Sequence, residues 1–250
     1  MVKVRHATIF SFLLITFNFL FQSTLARQSK HNRRRDVAEP PSIARSGWTV
    51  PLEGAVTCTD ANYCTDRLPA PPSTSTLQYL AIGRGTITYT CAGQPDNQPP
   101  IYVAQNAFLY DAAPLVPKFS SEDQFHSYIP RFLQYDYTSL DNSTLTCIGN
   151  AQRVEGMTIF EIYSVDAYPV KVKDVVNSPN DAQYDLAWAH SQDDDSEWDI
   201  YRVETAGGGP PYNCGDQVIS DEIPSEYVAE YWFYRSDRSG REGVAGRGEV

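Results

Sequence analysis

Short catalytic motifs are absent from this sequence. It contains no G-x-S-x-G, H-E-x-x-H or C-x-x-C pattern, which are typical of serine hydrolases, zinc proteases and redox proteins. Histidine, the residue most used for acid–base catalysis, occurs four times, and only His126 and His190 lie beyond residue 35. The stretch Gly83-Arg84-Gly85 lacks the third glycine of a dinucleotide-binding loop. We therefore expect no cofactor, and the sequence predicts no particular reaction.

Basic residues are few outside the first 35 positions. The chain has 31 acidic and 20 basic residues, and seven of the basic residues lie within residues 1–35, which contain no acid. Without that segment, 13 bases face 31 acids and the net charge is near −18. Because nucleic acids and anionic membranes are bound through positive charge, we expect neither as a partner.

Only one long hydrophobic run occurs, and it lies at the start of the chain. Ile9–Phe21 follows the basic residues Lys3 and Arg5 and precedes Thr24–Ala26, a small-residue cleavage site. This pattern predicts a signal peptide over residues 1–26, with cleavage after Ala26, and an extracellular protein. The alternative is an uncleaved anchor, but the run is short for a membrane span, so no membrane partner is expected after cleavage.

Differences in amino-acid composition divide the chain after residue 26 into four segments. Residues 27–35 end in the basic run Arg33–Arg35, which is either a processed pro-segment or a solvated charged tail. Residues 36–67 form an extended N-terminal region, and residues 68–235 are expected to form a single β domain. Residues 236–250 have no apolar periodicity and are expected to be a disordered tail.

Five cysteines in an exported chain predict disulfide bonds. Cys58 and Cys64 are close enough for a local loop, whereas Cys91 and Cys214 each follow a predicted strand or corner. We expect the pairs Cys91–Cys214 and Cys58–Cys64, with Cys147 free and buried, although spacing alone does not fix the connectivity.

An N-glycosylation acceptor begins at Asn142, in the sequence Asn-Ser-Thr. If the acceptor is used, this segment lies in a surface loop of the exported protein.

Two strand-like runs near the C-terminus organise the fold. Ile200–Thr205 alternates, with Ile200, Arg202 and Glu204 on one face, and it ends at the corner Gly207–Pro211. Tyr227–Tyr234 carries large apolar groups on both faces, which predicts a strand buried on two sides.

Other segments add strands of the same kind. Thr86–Cys91 alternates, with Ile87 and Tyr89 facing inward, and Gly83–Gly85 predicts a bend before it. Further strands are predicted at Leu77–Ile82, Ile101–Tyr110, Leu145–Ile148, Met157–Tyr163, Val170–Val176 and Tyr184–Trp188. Many short strands between turn clusters indicate a mainly β protein, an antiparallel sandwich or barrel stapled by disulfides.

One short helix is expected within this β pattern. Ser120 and Ser121 resemble helix N-caps, and apolar residues recur at helical spacing over Phe125–Phe132. Pro130 should end the helix early. His126 lies on it, and we interpret it as a solvated side chain.

An acidic stretch gives a weak calcium candidate. Asp193, Asp195, Glu197 and Glu204 occupy positions 1, 3, 5 and 12 of a calcium-loop spacing. The sixth position, where such loops need glycine, is Trp198, so a solvated hairpin tip without a metal is the favoured interpretation.

Glu204 and Glu230 are weak candidates for a catalytic carboxylate pair. Both lie on predicted strands, where burial can raise the pKa of one carboxyl group, and paired carboxylates are the machinery of glycoside hydrolysis. With 31 acidic residues in the chain, such a pair is a weak signal.

Four motifs carry a resemblance to a known family: Gly83–Thr86 with Tyr89–Cys91, Ala107 with Leu109–Ala112, Tyr201–Gly208 with Pro210, Pro211 and Cys214, and Tyr227 with Ala229–Tyr234. They resemble the DUF3455 family of secreted proteins of unknown function, found mainly in filamentous fungi and bacteria. The resemblance covers about residues 68–234. It implies a fold and export but no chemistry, because the family has no established activity.

This chain departs from the family pattern in three places. Ile87-Thr88 stands where the family usually has Gln-Asn, and Gly156–Phe160 lacks a histidine present in the family's Gly-x-His-Tyr-Phe stretch. The family's Trp-Leu-Lys-Leu strand is reduced to Leu186–Trp188. If those polar groups form a site in relatives, the resemblance implies that this chain has lost it.

The favoured hypothesis is a secreted β protein that acts by binding an extracellular ligand, such as a glycan, or as a structural component. The alternative is a secreted hydrolase of polysaccharide that uses Glu204 and Glu230. Two carboxylates in one aromatic-lined cleft would favour the enzyme, whereas scattered, solvated acids would favour the binding protein.

Overall fold

The computed structural model describes residues 42–60, 63–211, 213–215 and 222–236, and the structural statements below concern these residues. The predicted signal peptide and pro-segment, and the predicted tail beyond Ser236, lie outside them.

Eight antiparallel strands close into a barrel. Each strand from β3 to β10 pairs with its neighbour in sequence, and β10 pairs back onto β3, which completes the barrel. The mainly β, antiparallel class predicted from the sequence is confirmed, and the barrel is the form it takes. The strands are β3 (Ser75–Thr90), β4 (Ile101–Asp111), β5 (Cys147–Val154), β6 (Met157–Ile162), β7 (Asp166–Val176), β8 (Trp188–Asp193), β9 (Trp198–Gly207) and β10 (Ile223–Ser236).

A two-stranded hairpin precedes the barrel. β1 (Glu53–Asp60) pairs with β2 (Tyr63–Arg67), and the bridge Cys58–Cys64 joins the two strands. A single 3₁₀ turn, Ser42–Arg45, lies before the hairpin.

Helical turns fill the connection between β4 and β5. They are α1 (Glu122–His126), α2 (Tyr137–Asp141) and the 3₁₀ turns Ala113–Lys118 and Ile129–Gln134. α1 is the predicted short helix, and the hydroxyl of Ser121 caps it by accepting a hydrogen bond from the backbone N–H of Gln124 at 3.2 Å.

Strand β10 separates two apolar cores, one inside the barrel and one on its outer side. Tyr227, Tyr231 and Phe233 pack inside the barrel, whereas Val228 and Trp232 belong to a second core outside it. This confirms that the strand is buried on both faces. The outer core is completed by residues from the N-terminal segment and the helical connection, namely Ile43, Val50, Leu68, Phe125 and Ile129. These two segments therefore form a layer over one side of the barrel.

The bend predicted at Gly83–Gly85 is wrong, because these residues continue β3 without interruption. A Cβ atom added to Gly83 would overlap the ring of Tyr231, so the glycine makes room for an aromatic side chain inside the barrel. Arg84 points the other way; it is buried and forms an ion pair with Glu226.

Both predicted disulfide pairings are present in the structure. Cys91 and Cys214 are joined with their Cα atoms 5.5 Å apart, and Cys58 and Cys64 with theirs 4.0 Å apart. Cys147 is free, as predicted, but is half-buried where full burial was expected. In the part of the chain that the structure describes, no helix is long and apolar enough to span a membrane.

Candidate functional site

A cavity of about 650 Å³ lies between the outer wall of the barrel and the N-terminal layer. Residues 49–53 and the proline-rich segment 70–73 line one side. The barrel side is formed by one residue from each of four adjacent strands: Trp188 of β8, Glu204 of β9, Tyr234 of β10 and Ser75 of β3.

Glu204 reaches this cavity because of a β-bulge. The pairing of β9 with β10 shifts register between Val228 and Glu230, and Glu204 has the left-handed backbone angle φ = 47°. The alternation of β9 predicted that Glu204 shares the face of Ile200, which packs inside the barrel. That prediction is wrong, since the bulge turns Glu204 to the outer side.

Glu230 is close to Glu204 but does not line the cavity. Its side chain is fully buried, and its Oε1 lies 2.7 Å from Nδ1 of His126. Its Oε2 accepts a hydrogen bond from Nε1 of Trp232 at 2.9 Å. The prediction that His126 is solvated is therefore wrong: α1 faces the barrel, and the imidazole is 13% exposed.

Burial raises the pKa of both carboxyl groups. Burial, together with the charge of Glu230, raises the pKa of Glu204 from 4.5 to about 7. Burial also raises the pKa of Glu230, opposed by its hydrogen bond to His126. For His126, burial lowers the pKa, but the hydrogen bond and charge of Glu230 outweigh this effect and raise it. The three groups thus form one coupled proton-binding cluster.

The cluster joins the two carboxylates predicted from the sequence, but only one of them opens to the cavity. Glu204 is partly exposed and lines the cavity, so it can donate or accept a proton or a hydrogen bond there. Glu230 has both oxygens engaged by protein groups and no exposed surface.

A second histidine cluster lies on the outer face of β7, β8 and β9. Nδ1 of His190 lies 2.9 Å from Asp174, and its Nε2 lies 2.8 Å from Asp199. The ring of His190 stacks on Tyr201 at 4.7 Å between ring centroids. Burial lowers the pKa of His190, but the hydrogen bonds to both aspartates outweigh it and raise the pKa. No sequence pattern predicted this cluster, although strand alternation places Asp199 and Tyr201 on one face.

In the acidic stretch at the β8–β9 turn, Asp193 stabilises the turn by accepting backbone hydrogen bonds within it. Asp193 accepts hydrogen bonds from the backbone N–H groups of Glu197 and Trp198 at 2.7 and 3.1 Å. The carboxylate of Glu197 pairs with Arg235. Asp195 lies in the same turn, and no group of three or more His, Cys, Asp or Glu residues within the described ranges is arranged to hold a metal ion.

The predicted glycosylation acceptor, Asn142, directly follows α2 and is exposed. Its modification remains a prediction.

Comparison with known proteins places this architecture in a family without assigned chemistry. The family model described as "Protein of unknown function (DUF3455)" matches residues 72–235, well over half of the chain. Neither the curated proteins nor the solved structures contain a match.

Proposed function

Since the chain belongs to the DUF3455 family of proteins of unknown function, we propose its role from the site: an extracellular binding protein that holds a small polar ligand in the cavity beside Glu204. The volume of about 650 Å³ is within the range of small-molecule sites.

The single observation that carries the proposal is the burial of Glu230. Hydrolysis by a carboxylate pair needs both carboxyl groups beside the bond that is broken. Glu230 is fully buried and engaged by His126 and Trp232, so of this pair only Glu204 lines the cavity. The other carboxyl group in the lining belongs to Glu53, which is exposed and lies 3.8 Å from Arg67. Because the two carboxyl groups of the predicted pair do not reach the cavity together, the site favours binding over hydrolysis.

The lining favours a hydroxyl-rich ligand such as a glycan. Glu204, with a pKa of about 7, can serve a hydroxyl group either as an acceptor or as a donor. Trp188, Tyr234 and three of the prolines along residues 51–72 supply rigid apolar walls. The lining also carries the charged side chains of Glu53 and Arg67, and apolar walls combined with placed polar groups are usual in small-ligand sites.

Two features support an extracellular setting. The first 26 residues have the pattern of a signal peptide, and the fold contains two disulfide bonds. Amino-terminal sequencing of secreted material tests this part: a start at Arg27 or Asp36 is expected, and a retained Met1 in a membrane fraction contradicts it.

A glycan and small-ligand array tests the binding role. We expect the secreted protein to capture a defined subset of hydroxylated ligands, and Glu204→Gln to weaken capture by about tenfold because one charged hydrogen-bonding group is lost. The matched control is Glu161→Gln, an exposed glutamate on β6 outside the cavity, which should bind like the wild type. No capture, or equal capture by Glu204→Gln, contradicts the proposal.

A polysaccharide hydrolase is the second candidate. The observation in its favour is the pKa of about 7 at Glu204, a value suited to a general acid, next to a second carboxyl group. If the protein is a hydrolase, the wild type should release new reducing ends from a glycan, and Glu204→Gln should not.

A further inference from the structure

Two arginines meet at one end of the barrel interior. Arg153 lies near the end of β5, and Arg202 lies on β9 on the same side as the interior residue Ile200. The guanidinium carbon of Arg153 stands 4.5 Å from the ring centroid of Tyr102, and the hydroxyl group of Tyr102 interacts with both arginines. Both arginines are half-buried residues, so each is partly accessible to solvent.

The groups around these arginines are neutral. The amide of Gln105 donates to the hydroxyl groups of Tyr227 and Tyr231 at 2.8 and 3.0 Å and accepts from Tyr102 at 2.7 Å. The hydroxyl of Tyr89 donates to a backbone carbonyl at 2.6 Å. Phenols and an amide thus surround the two positive charges.

Among the residues that the structure describes, no carboxylate balances either charge. Within the described ranges, neither Arg153 nor Arg202 forms an ion pair, although acids outnumber bases by 11 in the whole chain. Guanidinium groups that are partly removed from water are normally paired with an anion, because their desolvation is costly. The two positive charges therefore leave an electrostatic demand that the described protein groups do not meet.

The guanidinium group of Arg202 does not use all of its hydrogen-bond donors within the described residues. Its Nη2 donates to the carbonyl oxygen of Ala187 at 2.9 Å, and its Nη1 lies at a long 3.4 Å from Oε1 of Gln105. Its Nε has no partner among the described residues. A guanidinium group carries five N–H donors and binds carboxylate, sulfate and phosphate groups in a forked geometry.

We propose that this end of the barrel is a second binding site, which takes an oxyanion group of a ligand between Arg153 and Arg202. The ligand chemistry is a carboxylate, sulfate or phosphate, carried either by a free anion or by an acidic sugar. The site is distinct from the cavity at Glu204, which lies on the outer face of the barrel, and it does not depend on the function proposed for that cavity.

Isothermal titration calorimetry at constant ionic strength tests the site with three probes: inorganic phosphate, inorganic sulfate and a trigalacturonate. We expect saturable one-to-one binding of at least one probe, weakened about tenfold or more in Arg153→Gln through loss of a charged hydrogen-bond donor. Arg202→Gln should act in the same direction, but Arg153→Gln carries the test if Arg202→Gln does not fold. The matched control is Arg131→Gln, since Arg131 stands over the ring of Tyr128 at 4.3 Å on the exposed surface.

The pattern across probes identifies the source of the anion. Binding of phosphate or sulfate alone supports the site and indicates a free anion, whereas binding of trigalacturonate alone supports the site and indicates an acidic glycan. Absence of saturable binding for all three probes overturns the proposal. Equal binding by Arg153→Gln and the wild type overturns it as well, because the anion would then bind elsewhere.

Discussion

Replacement of Glu204 by glutamine should change how the stability of the protein depends on pH. The pKa of Glu204 is raised from 4.5 to about 7 in the folded protein, so the folded state binds this proton more tightly than the unfolded chain. The resulting stabilisation is fully present below about pH 4.5 and is lost as the pH rises through about 7. Glutamine resembles the protonated glutamate and does not titrate, so Glu204→Gln retains this stabilisation at every pH.

The magnitude follows from the pKa. A change from 4.5 to about 7 corresponds to about 3 kcal/mol, and partial exposure with coupling to Glu230 brings the expected value to about 2 kcal/mol. Urea unfolding followed by tryptophan fluorescence between pH 4 and pH 8 measures it. Glu204→Gln and the wild type should be equally stable near pH 4, and the variant should be more stable by about 2 kcal/mol at pH 8.

The difference between the two proteins reports Glu204 together with its coupling to His126 and Glu230, whereas the raised pKa of His190 affects both proteins equally. Glu161→Gln, at an exposed position, should follow the wild type at every pH. A stability difference between Glu204→Gln and the wild type that stays constant from pH 4 to pH 8 would refute the reasoning.

Two further changes have defined outcomes. Cys91→Ser removes a bridge between residues 123 positions apart, so it should lower the free energy of unfolding by up to about 4.7 kcal/mol and reduce the secretion yield. Cys58→Ser removes a bridge between residues only 6 positions apart, so it should lower the free energy of unfolding by less. Equal yields of the two variants would contradict this account. Gly83→Ala places a methyl group against the ring of Tyr231 and should cost about 1 to 3 kcal/mol in urea unfolding, whereas an unchanged unfolding midpoint would show that the ring can move aside.

Much of the barrel could be predicted from alternation, because each strand has a defined inner and outer face. The inward positions Ile87 and Tyr89 and the two-sided β10 follow this rule. The alternation of inner and outer side chains fails at Glu204, because a β-bulge there shifts the strand by one position. Glu204 itself has a left-handed backbone conformation, which is uncommon for a residue other than glycine. No local pattern in the sequence marks that bulge.

The contacts of the site depend on partners far apart in the chain. His126 and Glu230 are separated by 104 positions, and α1 brings them together only when the helical connection packs on the barrel. The arginine pair could not be predicted for the same reason, since Arg153 and Arg202 lie on strands that are not neighbours. The bend predicted at Gly83–Gly85 is wrong because, in the sequence alone, a glycine that makes room for a ring cannot be distinguished from a glycine in a turn.

The most direct test of the central claim is whether the protein leaves its ligand intact. The secreted protein is incubated with each glycan that the array captures, and the products are analysed by mass spectrometry and a reducing-end assay. We predict that every captured glycan keeps its original mass and that no new reducing ends form, in the wild type and in Glu204→Gln alike. Cleavage by the wild type that disappears in Glu204→Gln would contradict the binding role and establish the hydrolase instead.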